Sequence, residues 1–347
     1  MSETSKRRVL VTTYLEPPLI ESLKAQFPEL EIFVPWDMLE LPRYDAEHRL
    51  PRADSESARA TWSELIESAE ILFDFGPAFM HTKLGTTPNL RWIQATSAGV
   101  GQLAHRIGLD RPGTPVVTTA RGVHGRALAE YVVMGLIALN RDLPQTMRDQ
   151  RARRWVRGSG RLIRGQTVGI LGLGSIGREV AELLGHFGAK TIGIVTSLNA
   201  REPASLGVDE LHPQAALDEL LPRLDCLVLC CPHTPETEGL IDQRRLALLP
   251  QAAVLINIAR GQVVDEVALI RRLADQRLRG AVLDVAATEP LPADSPLWSL
   301  PNVIISPHSA STVSGENQAI AELFASNLKA YLGGRELANV LDKGRLY

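Results

Sequence analysis

The run Thr167 to Gly177, T-V-G-I-L-G-L-G-S-I-G, constrains this chain more than any other stretch. Val168 to Leu171 has the apolar composition of a buried strand, and Arg178 to Phe187 has the alternation of an amphipathic helix. Between them Gly172, Gly174 and Gly177 carry the spacing G-x-G-x-x-G. Strand, glycine turn and helix in that order predict the first unit of a dinucleotide-binding α/β fold. Gly172 suits the tight turn, Gly174 lets backbone approach a pyrophosphate, and Gly177 lets the helix pack on the strand. The helix N-terminus offers unpaired N–H groups and a positive dipole end to the phosphates. The plain alternative is a glycine-rich turn that holds nothing. The flanking strand and helix are what lift the cofactor reading above it.

At 347 residues the chain exceeds one ordinary domain. Its 45% hydrophobic and 22% charged residues suit a soluble globular protein with large cores. A net charge of -3 gives no electrostatic pull toward nucleic acid or membrane. Cys226, Cys230 and Cys231 lack the spacing of metal ligands or redox pairs, so no metal site is expected. They read as buried thiols in a reducing compartment. The polar start, Met1 to Arg8, leads straight into a strand, and no signal core or membrane span follows. The expected location is the cytoplasm.

Short strands are expected at Val9–Thr13, Glu31–Val34, Ile71–Phe75, Leu90–Ala95 and Val116–Thr118. Helices fall at Pro18–Phe27 and Trp62–Ala69, with Asp37–Arg59 as a surface excursion. Such alternation predicts a small parallel-sheet domain. Ala127 to Leu139 is apolar on nearly every face and reads as a buried helix, either interior or dimer-forming. Arg148 to Arg164 sets seven arginines around Trp155. Basic residues around an aromatic can contact nucleic acid, but the acidic balance of the chain favours a solvated connection.

Beyond the glycine turn, strands are expected at Thr191–Val195, Asp225–Cys231, Ala253–Ile258, Gly280–Val285 and Val303–Ser306. Gly315 to Leu332 reads as a long closing helix. NAD-binding forms of this fold end the second strand in a carboxylate for the ribose 2′-hydroxyl. Here that end reads Val195-Thr196-Ser197-Leu198-Asn199-Ala200-Arg201. The hydroxyls of Thr196 and Ser197, with Arg201, suit a 2′-phosphate better. NADP is therefore favoured over NAD, although a site taking either remains the plain alternative.

Arg260, Glu289 and His308 follow successive strands. A guanidinium grips a carboxylate through two parallel hydrogen bonds. An imidazole, with a reference pKa of about 6.5, suits acid/base work near neutral pH. A carboxylate beside it favours the protonated ring. Cation, acid/base and orienting carboxylate are what reduction of a 2-oxo acid needs beside a nicotinamide. Taken singly, each residue has an ordinary reading: a surface ion pair, a turn, a hydrogen-bonded loop histidine.

Their contexts change the weight. Asn257–Leu269 (N-I-A-R-G-Q-V-V-D-E-V-A-L), Leu283–Trp298 (L-D-V-A-A-T-E-P-L-P-A-D-S-P-L-W) and Asn302–Ala310 (N-V-I-I-S-P-H-S-A) resemble the arginine, glutamate and histidine signatures of the D-isomer-specific 2-hydroxyacid dehydrogenase family. The glycine turn, Ala129-Glu130 and Trp155 fit the same family, and the resemblance is strongest from Gly122 to Ala310. It implies two doubly wound parallel-sheet α/β domains, a Rossmann cofactor domain inserted into a flavodoxin-like substrate domain. Residues 1–118 would begin the substrate domain, 119–309 would form the dinucleotide-binding domain, and 310–347 would return to the first.

The resemblance also assigns roles. Arg260 would hold the substrate carboxylate and 2-oxygen, His308 would be the acid/base and Glu289 its partner. Asp284 would meet the nicotinamide carboxamide. Ser175 and Ile176 would lie along the pyrophosphate, and Pro232, Thr237 and Ile258 would line the cofactor cleft. Ser97, Ala98 and Gly99 would present backbone N–H groups to the substrate. A homodimer through the cofactor domain is implied. The activity implied is NAD(P)-dependent interconversion of a small 2-oxo acid, such as glyoxylate or hydroxypyruvate, and its D-2-hydroxy acid. The alternatives are 3-phosphoglycerate oxidation and a non-enzymatic NAD(P)-sensing corepressor-like protein. Two departures stand out: the missing ribose carboxylate, and Gly101 where an Asp commonly follows Gly-Val.

Overall fold

A computed structural model describes residues 6–49, 53–76, 87–198 and 202–346. The chain divides into two compact units, Met1–His124 with Thr312–Tyr347, and Gly125–Ser311. In chain order the first unit holds β1 (Arg7–Val11), α1 (Pro17–Gln26), β2 (Leu30–Phe33), α2 (Glu56–Ser68) and β3 (Ile71–Phe73). It continues with β4 (Trp92–Gln94), α3 (Gly101–Arg106) and β5 (Val116–Thr118). The second unit begins with α4 (Gly125–Asn140), α5 (Leu143–Arg151), β6 (Thr167–Leu171), α6 (Ser175–His186), β7 (Lys190–Val195) and β8 (Glu210–Pro213). It closes with α7 (Leu217–Leu220), β9 (Cys226–Leu229), α8 (Gln243–Leu248), β10 (Val254–Asn257), α9 (Glu266–Ala274), β11 (Gly280–Leu283) and β12 (Val303–Ile305). The last helix, α10 (Glu316–Leu332), returns to the first unit.

Both sheets are parallel, as expected. The first has the order β2-β1-β3-β4-β5, the flavodoxin-like arrangement. The second, read β8-β7-β6-β9-β10-β11-β12, is the Rossmann order with one extra strand at its far edge. Strand order reverses between β6 and β9, so the carboxyl ends of those two strands flank the switch point.

The closing helix belongs to the first unit because of what its apolar face buries. Ile320, Phe324 and Leu328 are fully buried, and the Phe324 ring sits 5.0 Å from Phe73 and 5.4 Å from Trp92. Burying a side chain of this kind is worth about 1.5–3 kcal/mol. The Trp92 indole N–H donates to Thr118 Oγ1 at 2.8 Å, so the buried ring carries no unmet donor.

Several elements depart from the sequence reading. Helix α2 starts at Glu56 rather than Trp62, because Ser55 Oγ accepts from Ala58 N and caps it earlier, inside the supposed excursion. Helices α3 and α5 and strand β8 were not expected. β8 is a half-buried edge strand ending in Pro213, without the apolar run of a central strand. Helix α4 is not buried all round: Arg126, Glu130, Met134 and Ile137 form an exposed stripe. Cys226 and Cys231 are buried, Cys230 is half-buried, and all three are free. Burial pushes the Cys231 thiol up to about 12, which removes it as a nucleophile near neutral pH. Among the described residues no helix is long and apolar enough to cross a membrane, and no group of acidic, His and Cys side chains could hold a metal ion.

Candidate active site

The glycine turn lies at the switch point of the larger sheet. Gly172 has φ 97°, and a Cβ there would stand 2.8 Å from the Cys231 backbone just past β9. A Cβ on Gly177 would stand 2.0 Å from the Gly172 carbonyl oxygen, so only glycine lets α6 sit this close to the turn. Gly174, which precedes the first residue of α6, has no protein atom within 4 Å of where a Cβ would be. Open space above a helix N-terminus is what a pyrophosphate requires. Ser175 and Ile176 form the first turn of α6 and are half-exposed, while Thr196 and Ser197 are exposed beyond β7. Arg201 lies outside the described residues.

Past β9, Pro232 is exposed and Thr237 is buried. The Thr237 hydroxyl donates to Pro232 O at 2.7 Å and accepts from Thr234 N at 2.8 Å. That hydroxyl is spent on folding its own loop, so it shapes the surface that Pro232 presents. Ile258 is buried directly after β10.

Arg260 is placed by an asparagine turn. Asn257 Nδ2 donates to Arg260 O at 3.0 Å, and Ala259 N donates back to Asn257 Oδ1 at 3.0 Å. Gly261 follows, and a Cβ there would stand 1.9 Å from the Ala286 carbonyl carbon. This close approach sets the loop after β10 against the loop that carries Glu289. Gln262 Nε2 donates to Ala287 O at 2.9 Å, and Ala287 N donates to Glu266 Oε2 at 2.8 Å, stitching the two together. Gly261→Ala should therefore cost about 1–3 kcal/mol in overpacking and lower activity with it. A urea midpoint matching that of Gly158→Ala, where a Cβ meets nothing within 4 Å, would contradict this contact.

His308 is held in a left-handed conformation, φ 52°. Such a residue costs about 1–3 kcal/mol and needs surroundings that enforce it. Asp284 enforces it. Its carbonyl accepts from His308 N at 2.8 Å, and its Oδ1 accepts from Ser309 N and Ala310 N, both at 2.9 Å. Ser306 Oγ donates to the same Oδ1 at 2.6 Å and lies 2.7 Å from the Tyr131 hydroxyl. Burial pushes the Tyr131 phenol above its usual range, the Ser306 bond opposes this, and the Asp284 charge adds to it. Tyr131 and Ser306 were not singled out from the sequence. Ser306 stands within the histidine signature, but nothing local marks Tyr131, which lies 175 residues away.

His308 Nδ1 and Glu289 Oε2 are 2.7 Å apart, on side chains 45% and 39% exposed. This engages Nδ1 and leaves Nε2 for a reacting group. Burial pushes the Glu289 carboxyl up, but His308, the Ala286 N–H and the Arg260 charge together hold it below the usual carboxylate range. Burial pulls the Arg260 guanidinium down, against the opposing charges of Glu289 and Asp284. A guanidinium stays charged throughout. The three groups named from the sequence are thus brought together electrically, and His308 and Glu289 directly.

Ser97, Ala98 and Gly99 belong to the other unit, just past β4, with Ser97 and Gly99 exposed. The nearby departure at Gly101 has a steric reason: a Cβ there would stand 1.8 Å from Leu346 O, which leaves no room for an aspartate.

Residues 133–310 match the model of the D-isomer specific 2-hydroxyacid dehydrogenase NAD binding domain. The glyoxylate reductase of Thermococcus kodakarensis is 31% identical over 97% of this chain and 96% of its own length. This chain belongs to the D-isomer specific 2-hydroxyacid dehydrogenase family. A family structure from Xanthobacter autotrophicus, in complex with NADPH and MES, is 30% identical with a TM-score of 0.78 over 99% of this chain and 100% of its own. The NADPH-dependent glyoxylate/hydroxypyruvate reductase of Sinorhizobium meliloti, in complex with NADP and sulfate, is 26% identical with a TM-score of 0.78 over 99% and 100%. Against D-3-phosphoglycerate dehydrogenases, such as that of Mycobacterium tuberculosis at 33% identity over 75% of this chain, it spans about half (48%) of the relative's length.

Proposed function

We propose that this family member is an NAD(P)-dependent oxidoreductase that reduces a small 2-oxo acid, of the glyoxylate or hydroxypyruvate kind, to its D-2-hydroxy acid. The observation that carries the reading is the 2.7 Å contact of His308 with Glu289 beside the charge of Arg260, beyond the carboxyl ends of β10, β11 and β12 in the sheet that carries the glycine turn. Gly172, Gly174, Gly177 and the first turn of α6 would hold the pyrophosphate, with Asp284 toward the nicotinamide carboxamide. Bound NAD(P)H supplies the hydride. Arg260 holds the substrate carboxylate and polarises the 2-oxo group through its second nitrogen. His308 Nε2 gives the developing alkoxide its proton, while the Glu289 carboxylate orients the ring through Nδ1. Ser97 to Gly99 are proposed as substrate-binding residues through their backbone N–H groups.

NADP is the favoured cofactor, since no carboxylate stands at Thr196 or Ser197 to repel a 2′-phosphate. The test is a panel of 2-oxo acids run with NADH and NADPH side by side. We expect kcat/KM at least about tenfold higher with NADPH, one tenfold step being about 1.4 kcal/mol of differential binding. Equal use of both would remove the preference, and turnover of no acid would favour the sensor reading.

A homodimer and a cytoplasmic location belong to the same proposal. Met134 and Ile137 on α4, Leu143 and Met147 on α5, and Trp155, Val156 and Leu162 beyond it are all exposed, Trp155 to 97%. So much apolar surface in one stretch of a single unit marks an association face. Met134→Glu with Met147→Glu should turn a dimer into a monomer in sedimentation velocity. A wild-type monomer would contradict the assignment. The free cysteines fit a reducing compartment.

A further inference from the structure

Helix α4 comes close to the larger sheet at Gly135. A Cβ there would stand 2.8 Å from the Val282 side chain, so a larger residue would push the helix off β11. Tyr131 lies one turn earlier on the same face of α4. Its phenol therefore arrives beyond the carboxyl ends of β11 and β12. There it meets Ser306 Oγ at 2.7 Å, and Ser306 Oγ meets Asp284 Oδ1 at 2.6 Å.

The hydrogens on this path set its direction. Asp284 Oδ1 already accepts from Ser309 N and Ala310 N, so it accepts the Ser306 hydrogen as well. A serine hydroxyl has one hydrogen to give. With that hydrogen spent on Asp284, the phenol of Tyr131 is the donor in the 2.7 Å contact and Ser306 the acceptor. Burial holds the phenol above its usual range, so it keeps the proton it donates at neutral pH. The bonds run one way, from Tyr131 through Ser306 to Asp284.

The same count divides the two oxygens of Asp284. Oδ1 has three donors, two of them the N–H groups that follow His308. Oδ2 has no donor among the described residues, although Asp284 is only 4% exposed. An acceptor on a buried residue left without a donor asks for an explanation. We propose that Tyr131 is a positioning residue: through Ser306 it fixes the rotation of the Asp284 carboxylate, so that one oxygen builds the His308 turn and the other is left for the nicotinamide carboxamide. The inference rests on the NAD(P)-dependent reading above. Proton donor and hydride donor are then placed from one side chain, and a small misplacement of either is costly in rate. Without the phenol, the Ser306 hydroxyl loses the donor that fixes its rotation.

The experiment compares full-length wild type, Tyr131→Phe, Ser306→Ala and Ser306→Thr. Calorimetric titration gives Kd for NADPH and for 2′-phospho-ADP-ribose, which lacks the nicotinamide ring. Turnover of a 2-oxo acid that the wild type accepts gives kcat. If the wild type prefers NADH, NADH and ADP-ribose take their places. Tyr131→Phe should weaken NADPH about threefold to tenfold, the net worth of one hydrogen bond, and lower kcat by a similar factor. Ser306→Ala should do at least as much, and Ser306→Thr, which keeps the hydroxyl, should restore most of the loss. Binding of 2′-phospho-ADP-ribose should be unchanged throughout. If Ser306→Ala fails to fold by circular dichroism, Tyr131→Phe, which removes one oxygen and keeps the ring, decides alone. Equal weakening of both ligands marks a general loss of structure and overturns the positioning role, as does an unmoved NADPH affinity or an unmoved kcat. In those cases wild-type turnover leaves the dehydrogenase reading standing. A wild type that turns over no 2-oxo acid with either cofactor overturns both.

Discussion

His308→Ala is expected to lower kcat by about 10²- to 10⁴-fold, the usual worth of a positioned general acid. NADPH affinity should be nearly unchanged. The left-handed backbone at His308 is enforced by Asp284 through main-chain bonds that alanine keeps. The variant therefore removes the proton carrier and little else. Stopped-flow reduction of the 2-oxo acid and fluorescence titration of NADPH separate the two effects. A change confined to KM would take the proton-transfer role away from this imidazole. Glu289 adds a pH signature. Its folded pKa is lowered, so its contribution to stability is present above the unfolded value of about 4.3 and is lost as pH falls through the folded value. The His308–Glu289 pair accordingly stays intact across the neutral range, where catalysis would occur.

Arg260→Lys is the second large effect. Its expected loss in kcat/KM is about 10²-fold, on the scale of the roughly 2–5 kcal/mol lost when one member of a buried charge pair is truncated. A lysine keeps the charge but has no planar fork, so it cannot hold the carboxylate and the 2-oxygen together. The asparagine turn that aims the residue joins the Asn257 side chain to the main chain of Ala259 and Arg260, and it survives the change. Unchanged kinetics would place the substrate carboxylate elsewhere, and Ser97 to Gly99 would be the next residues to test.

Much of this was legible before any coordinates. The apolar run before Gly172 and the helix after Gly177 identified the cofactor turn, because strand and helix periodicities are local properties of sequence. Arg260, Glu289 and His308 could be named because each follows a strand, where parallel sheets expose functional groups. What hid α3, α5 and β8 was equally physical. These elements are short, polar or at an edge, and are held by tertiary contacts rather than by periodicity. The exposed stripe on α4 was hidden because hydropathy records that a side chain is apolar, not whether anything covers it.

The amino-acid sequence alone determined most of the order of elements, the glycine turn and the chemical types at the strand ends. Those depend on neighbours a few residues apart. Only the tertiary structure decided that Gly172 meets Cys231, that Gly261 draws the Arg260 loop against the Glu289 loop, and that Tyr131, Ser306 and Asp284 form one network around His308. It also decided that Phe324 joins α10 to the first unit. The reason is the same in each case. Contacts between residues tens to hundreds of positions apart follow from strand order and close packing, which no local pattern records.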